Sequence, residues 1–106
     1  MSAEQTEQTE RIRRAAADAH TALQRLTAAT AGLTPEGRTA LLDALHDGRT
    51  DGLLVVLGGL ITAAGEELPE GEAAEDIDEA AAYVEDYAGQ RLSRARTALA
   101  AHGKTR

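Results

Sequence analysis

Residues 53–64 read Leu-Leu-Val-Val-Leu-Gly-Gly-Leu-Ile-Thr-Ala-Ala, and this stretch decides the fold. Its first five residues are all apolar, so on a helix they cover every side, and such a helix has to be surrounded by other elements. A buried strand is the alternative interpretation. We favour a helix over about 52–64, because the run is long for a strand and Asp51 precedes it as an N-cap. Gly58 and Gly59 lower the helix propensity, which leaves a break at Gly58 open.

A short helix over about 35–47 precedes this stretch. Thr34 is placed to accept hydrogen bonds from the free amides at its start, and Pro35 fits the first helical position, where its missing N–H costs nothing. His46 falls in the last turn, where a positive charge would favour the helix dipole. The apolar face of this helix consists of Leu41, Leu42 and Leu45.

Two long helices flank the short pair. The first, over about 3–31, has apolar or small residues at steps of three and four, and Gly32 fits the left-handed stop position after it. The second, over about 72–101, follows a loop that contains Pro69. The first stripe consists of Ile12, Ala16, Ala19, Leu23, Leu26, Thr30 and Leu33, and the second of Ile77, Ala81, Val84, Ala88, Leu92, Ala95 and Leu99, beside Tyr83 and Tyr87.

These elements predict an all-α protein with a single helical domain, residues 1–106. The predicted architecture is a small four-helix bundle. Its two long helices, about 3–31 and 72–101, run antiparallel around the two short helices, about 35–47 and 52–64. The core is expected to be poor in large side chains, because the chain has no Phe or Trp and only 2 Tyr.

The ends of the chain and its composition predict a cytoplasmic protein. The first seven residues, Met-Ser-Ala-Glu-Gln-Thr-Glu, are polar and acidic, so we expect no signal peptide. We expect residues 1–8 and 103–106 to fray. The apolar run 53–65 is too short to span a bilayer. Because the chain has no Cys, disulfides and thiolate metal sites are excluded.

No pattern in the chain predicts a metal or a cofactor. Residues 47–52 have acids at positions one and five of a calcium loop, but Arg49 takes the third ligand position and Gly58 the twelfth, where a bidentate Glu is required. The histidines do not have the spacing of a metal-binding motif. They are His20, His46 and His102.

Catalytic residues are not evident either. Ser2 and Ser93 are the only serines, neither lies in a Gly-x-Ser-x-Gly turn, and no glycine-rich phosphate loop is present. The acidic run 66–79 includes Glu75 and Glu79 on one helical face, but a carboxylate-bridged di-metal site would need Glu-x-x-His motifs. We interpret this run as a solvated helix start, with an acidic docking surface for a basic partner as the alternative. We therefore predict that this protein is not an enzyme and has no small-molecule substrate.

Helix 52–64 is the most informative element for function. Two long helices and one short helix leave part of an all-apolar helix uncovered unless another subunit completes it, although a core position in a monomeric bundle remains an equal alternative. We therefore predict a homodimer that acts through protein–protein contact as a regulator, adaptor or assembly factor. The predicted interface residues are Leu53, Leu54, Val56, Leu57, Leu60 and Ile61.

A DNA-binding regulator is the alternative function. An antiparallel pair of long helices would form a basic end from Arg11 to Arg14 and from Arg91 to Arg106. The net charge of -7 opposes phosphate binding, and a recognition helix has to expose polar side chains, which residues 53–57 lack. The candidate nucleic-acid contacts are Arg11, Arg13, Arg14, Arg91, Arg94 and Arg96.

Overall fold

The computed structural model of the chain describes residues 2–47 and 52–104. Within these residues all regular secondary structure is helical, and it comprises two long helices and two short ones, so the predicted all-α fold class is confirmed. None of the helices in the described residues has the length and apolarity needed to cross a membrane.

The helices keep the predicted order. Tyr83 and Ala88 have right-handed helical backbone angles, so the last three segments form one continuous helix, called here the final helix. The chain divides into two compact units, Met1–Thr34 and Pro35–Arg106. The segments are α1 (Ala3–Ala28), α2 (Pro35–Leu45), α3 (Leu53–Ala63), α4 (Glu72–Ala82), a π turn (Tyr83–Tyr87) and α5 (Ala88–Lys104).

The first unit consists of α1 and the turn that follows it. Ser2 Oγ accepts the Gln5 amide at 3.2 Å, and Gln5 Oε1 accepts the Ser2 amide at 3.3 Å, which together make a capping box. Residues 3–8, which we expected to fray, are helical. The helix ends at Ala28 rather than near residue 31, because the amides of residues 30 and 31 bond three residues back. Gly32 has the positive φ of 66° predicted for the stop position.

The second unit is a small bundle of α2, α3 and the final helix. α3 packs on α4 and the π turn, while α2 contacts both α3 and α5. Ala81 is the only buried apolar side chain in the described residues, at 5% exposure. The core is therefore thin. The half-buried apolar side chains of this unit are Leu41, Leu42, Leu45, Leu54, Ile61, Ala74, Ile77, Val84, Ala88 and Leu92.

Glycines bring α3 close to the final helix. A Cβ atom added to Gly58 would lie 2.1 Å from Glu85 Cγ, and one added to Gly65 would lie 3.1 Å from Ile77 Cγ2. Gly58 is buried inside α3 and does not break it. Its role is to let the α3 backbone approach the final helix where a side chain would not fit.

Two helix ends differ from the sequence prediction. The N-cap of α3 is Gly52, which makes no side-chain cap bond. Asp51, which we predicted as the cap, lies outside the described residues, as do residues 48–50 of the calcium-like segment. A Cβ atom on Gly52 would lie 2.5 Å from the Leu45 carbonyl oxygen, so the start of α3 is fixed by backbone packing on the end of α2. α2 ends at Leu45 rather than near residue 47.

Candidate functional site

α3 has two different faces. Leu54, Gly58 and Ile61 recur at the spacing i, i+4, i+7 and lie on its inner face, where Gly58 meets Glu85 of the final helix. A second face lies roughly a third of a turn away around the helix axis, by the 3.6-residue period of an α-helix. This second face, called here the α3 face, consists of Leu53, Val56, Leu57 and Leu60.

The α3 face is exposed to water. The exposed fraction of its residues is 37% for Leu53, 63% for Val56, 45% for Leu57 and 67% for Leu60. Four large apolar side chains at the spacing i, i+3, i+4, i+7 form a continuous stripe along a helix. Contiguous apolar patches of a few hundred Å² on a protein surface mark interaction sites.

The six residues that the sequence predicted as an interface are thus divided between the two faces of α3. Leu54 and Ile61 are half-buried on the inner face, while the remaining four form the α3 face. The two faces differ because α3 has few neighbours: α2 and the final helix pack against its inner face and leave the other face uncovered. A helix that is apolar all round and covered on one side leaves an apolar stripe in contact with water.

The α3 face carries no charge. From Gly52 to Gly65 the sequence has no Asp, Glu, Lys, Arg or His, and Thr62 is the one residue with a polar side chain. The surface of α3 at Gly59 is open, because a Cβ atom added there would meet nothing within 4 Å. Gly59 comes three residues after Val56, so it lies at the edge of the α3 face, where a partner helix meets no side chain.

Arg96 joins α5 to the end of α2. Its Nη2 lies 3.0 Å from Asp43 Oδ1, and the same nitrogen donates a hydrogen bond to the backbone carbonyl of His46. The His46 ring packs on Gly89, where an added Cβ atom would lie 2.9 Å from ring carbon Cε1. Arg96, one of the predicted nucleic-acid contacts, holds α2 on the final helix.

We expect Arg96→Ala to lower the free energy of unfolding by about 1–2 kcal/mol, because it removes a charge-assisted hydrogen bond to a backbone carbonyl. Chemical denaturation followed by circular dichroism measures this change. Arg13→Ala is the control. It breaks an exposed ion pair with Glu10 on α1, at 3.6 Å, and should change the stability by less than about 0.5 kcal/mol. Equal losses for the two variants would contradict the assigned role of Arg96.

A cleft of about 570 Å³ lies beside this contact, and it gathers several chemically reactive side chains. In the described residues no hydrogen bond joins the Ser93 side chain to His46, and the Ser93 backbone carbonyl accepts a hydrogen bond from Thr97 Oγ1 at 3.1 Å. The part of the chain that the structure describes contains no group of three His, Cys, Asp or Glu side chains able to hold a metal ion. The cleft is lined by His46, Glu85, Asp86, Gln90, Ser93 and Arg94.

The arginines of α1 lie among acids of the same helix. Arg11 and Arg14 share a groove with Glu7 and Glu10, and Arg13 forms the ion pair with Glu10 described above. All of these side chains are exposed. The neighbouring carboxylates offset the positive potential that would attract a phosphate backbone.

Four side chains form a row along the π turn. Of these, only the pair Tyr83 and Tyr87 was evident from the sequence. The Tyr83 hydroxyl donates to Glu79 Oε1 at 3.2 Å, and Arg91 Nη2 donates to the Tyr87 hydroxyl at 3.3 Å. The Arg91 guanidinium carbon lies 5.5 Å from the centroid of the Tyr87 ring, within cation–π range. Glu79, Tyr83, Tyr87 and Arg91 are called here the tyrosine row.

The π turn places the two tyrosine rings against one another on the surface. Their centroids are 6.2 Å apart with an interplanar angle of 80°, which is an edge-to-face contact, and the two residues are 57% and 54% exposed. The Ala88 amide bonds to the Tyr83 carbonyl, five residues back. This turn therefore contains one residue more than a turn of α-helix, and nothing in the local sequence predicts it. Such π turns are frequent at functional sites.

Comparison with known proteins identifies no relative of this chain. No family model matches it, and no curated protein and no solved structure matches it. The features of the molecule that bear on its function are the α3 face, the tyrosine row and the cleft beside His46.

Proposed function

We propose that this protein is a non-enzymatic homodimer of the cytoplasm that acts through protein–protein contact, as a small regulator, adaptor or assembly factor, and that its subunits meet through the α3 face. The observation that supports this proposal is the exposure of four large apolar side chains on one face of one helix, between 37% and 67%. Leaving such a stripe in water is costly, because the hydrophobic effect favours its burial.

A second copy of this chain is the partner that the α3 face fits best. An uncharged apolar surface is complementary to itself, and a two-fold axis brings the same patch of both subunits together without charge repulsion. Homodimer interfaces are also more apolar than contacts between proteins that exist separately. Gly59 lies beside Val56 and Leu60, so two α3 helices can approach closely.

The size of the α3 face predicts the strength of the dimer. The four side chains expose on the order of 400 Å² per subunit, a patch size typical of functional surfaces. A symmetric pair would bury roughly 800 Å² in total, which is the range of weak, reversible contacts. The dimer is therefore expected to dissociate on dilution into the micromolar range.

Light scattering of the full chain across micromolar to millimolar concentration tests this proposal. We expect the wild-type mass to rise from that of a monomer towards that of a dimer. Val56→Asp should keep the helical circular dichroism, because this side chain is 63% exposed, and should prevent association through the α3 face by placing an unpaired charge in that contact.

Thr62→Asp is the matched control for Val56→Asp. Thr62 is exposed on the opposite side of α3, so the same new charge there should leave the dimer intact. A wild-type chain that stays monomeric at all concentrations would contradict the proposal. So would a Val56→Asp chain that associates as strongly as the Thr62→Asp chain.

A further inference from the structure

The tyrosine row has opposite charges at its two ends. Glu79 and Arg91 each bond to a neutral tyrosine hydroxyl, and within the described residues neither one forms an ion pair. Both charges are therefore available to a partner. Between them lie two tyrosines that are each more than half exposed, and Tyr and Arg are the residue types enriched at the energetic centres of protein interfaces.

The order of the residues makes the row complementary to itself. Read along the final helix it is acid, tyrosine, tyrosine, base, and read in reverse it is base, tyrosine, tyrosine, acid. Successive members are four residues apart, or about 6 Å along a helix, which agrees with the 6.2 Å between the ring centroids. When two such rows lie antiparallel, each Glu79 faces the other copy's Arg91 and each Tyr83 faces the other copy's Tyr87.

We propose that the tyrosine row is a second contact surface of this protein, and that it pairs antiparallel with the tyrosine row of another copy of the same chain. The pairing makes two ion pairs at its ends and two aromatic contacts in its middle, related by a two-fold axis near the centre of the π turn. Opposite charges at fixed spacing set the register and the direction of the two helices.

This contact is separate from the α3 face and does not rest on the dimer proposed above. Tyr83 comes two residues after Ala81, which is buried on the inner face of the final helix, so it lies on nearly the opposite side of that helix. A chain with two such surfaces can join dimers into larger assemblies. Each surface alone gives a pair of subunits, and both together give a tetramer or a longer array.

Asp86 lies where the two-fold axis would pass. It lines a shallow groove of about 290 Å³ together with Tyr83 and Tyr87. In the antiparallel pair the Asp86 carboxylates of the two copies would face one another, and like charges at short range oppose association. Asp86→Asn should therefore strengthen the contact, whereas a row that binds a basic partner would lose affinity when this acid is removed.

A charge reversal in the Val56→Asp background tests the inference, because the α3 face is then blocked. Sedimentation velocity of the full chain should show a weak dimer, and adding Glu79→Arg should weaken it roughly tenfold, since both ion pairs become repulsions. Adding Arg91→Glu as well should restore the dimer, because the two ends of the row have then exchanged their charges and opposite charges face one another again. Glu70→Arg changes the net charge equally outside the row and should have no effect.

The recovery of the dimer on adding Arg91→Glu distinguishes two explanations for the effect of Glu79→Arg: loss of the antiparallel pairing, and loss of a purely structural role of Glu79. A role of Glu79 in helix stability alone would give a loss that Arg91→Glu does not repair, and this result would overturn the inference. A Val56→Asp chain that remains monomeric at millimolar concentration would overturn it too. The dimer through the α3 face is judged separately, by comparing the wild type with Val56→Asp, so either proposal can fail while the other stands.

Discussion

Ala81→Asp should strongly destabilise the second unit of the protein. Ala81 is 5% exposed, and a carboxylate at this position has no cation in the thin core to pair with. Burying an unpaired charge costs about 3–5 kcal/mol, while a domain of this size has a stability of roughly 4–10 kcal/mol. The substitution is therefore expected to remove a large part of the free energy of unfolding. Circular dichroism and chemical denaturation measure the loss.

Ala82→Asp is the control for this prediction, because it puts the same side chain at the next position of α4. Ala82 is exposed, so its carboxylate stays hydrated, and its effect should be less than about 1 kcal/mol, close to the difference in helix propensity between Ala and Asp. Similar stability of the two variants would show that the inner face of α4 is not packed as the structure has it.

Gly58→Ala and Gly59→Ala should change stability in opposite directions. At Gly58 the new Cβ would lie 2.1 Å from Glu85 Cγ, so the Glu85 side chain or the helix that carries it has to shift, at a cost of about 1–3 kcal/mol. At Gly59 nothing lies within 4 Å, so Ala should stabilise the helix by about 0.5–1 kcal/mol. Chemical denaturation in the Val56→Asp background at low micromolar concentration measures both changes without a contribution from the dimer through the α3 face.

A second substitution tests the cause of the Gly58→Ala loss. Removing the Glu85 side chain with Glu85→Ala takes away the atoms that the new methyl group meets, so the double variant should recover most of the lost stability. Strictly additive effects of the two substitutions would show that Gly58 is required for another reason, such as its backbone conformation.

The thin core gives the proposed association a physical basis. In the described residues one apolar side chain is buried, while five large ones on α3 remain exposed, four of them on the α3 face. Hydrophobic burial is the main favourable contribution to folding, so a unit that buries little of its apolar surface alone gains stability when a second subunit covers the rest. Dissociation and unfolding are therefore expected to be coupled, and the melting temperature should rise with protein concentration.

The signals that predicted the helices correctly are local ones. Pro35 begins α2, Gly32 has the left-handed backbone angle after α1, and the spacing of apolar residues placed both long helices. Each of these depends on the backbone angles of one residue or on neighbours three and four positions away. The start of α3 was less predictable, because backbone packing of Gly52 against Leu45 fixes it and Gly52 has no side chain to cap the helix.

The candidate site was predictable only in part. Five consecutive apolar residues showed that α3 was the helix to examine, but they could not show which of its faces was inside, since Leu54 and Leu53 are chemically identical. Arg96 looked like a free surface arginine in the sequence, and its contacts with Asp43 and His46 join positions distant in the chain.

The sequence alone determined that this chain is helical, where its helices lie, and that the helix of residues 53–63 is apolar on every side. These properties follow from residue types and spacings within a few positions. Only the tertiary structure decided that the α3 face stays in water, that Gly58 meets Glu85, and that the π turn brings two tyrosines together between opposite charges. The physical reason is that exposure depends on which distant elements cover a helix, and no local pattern records that.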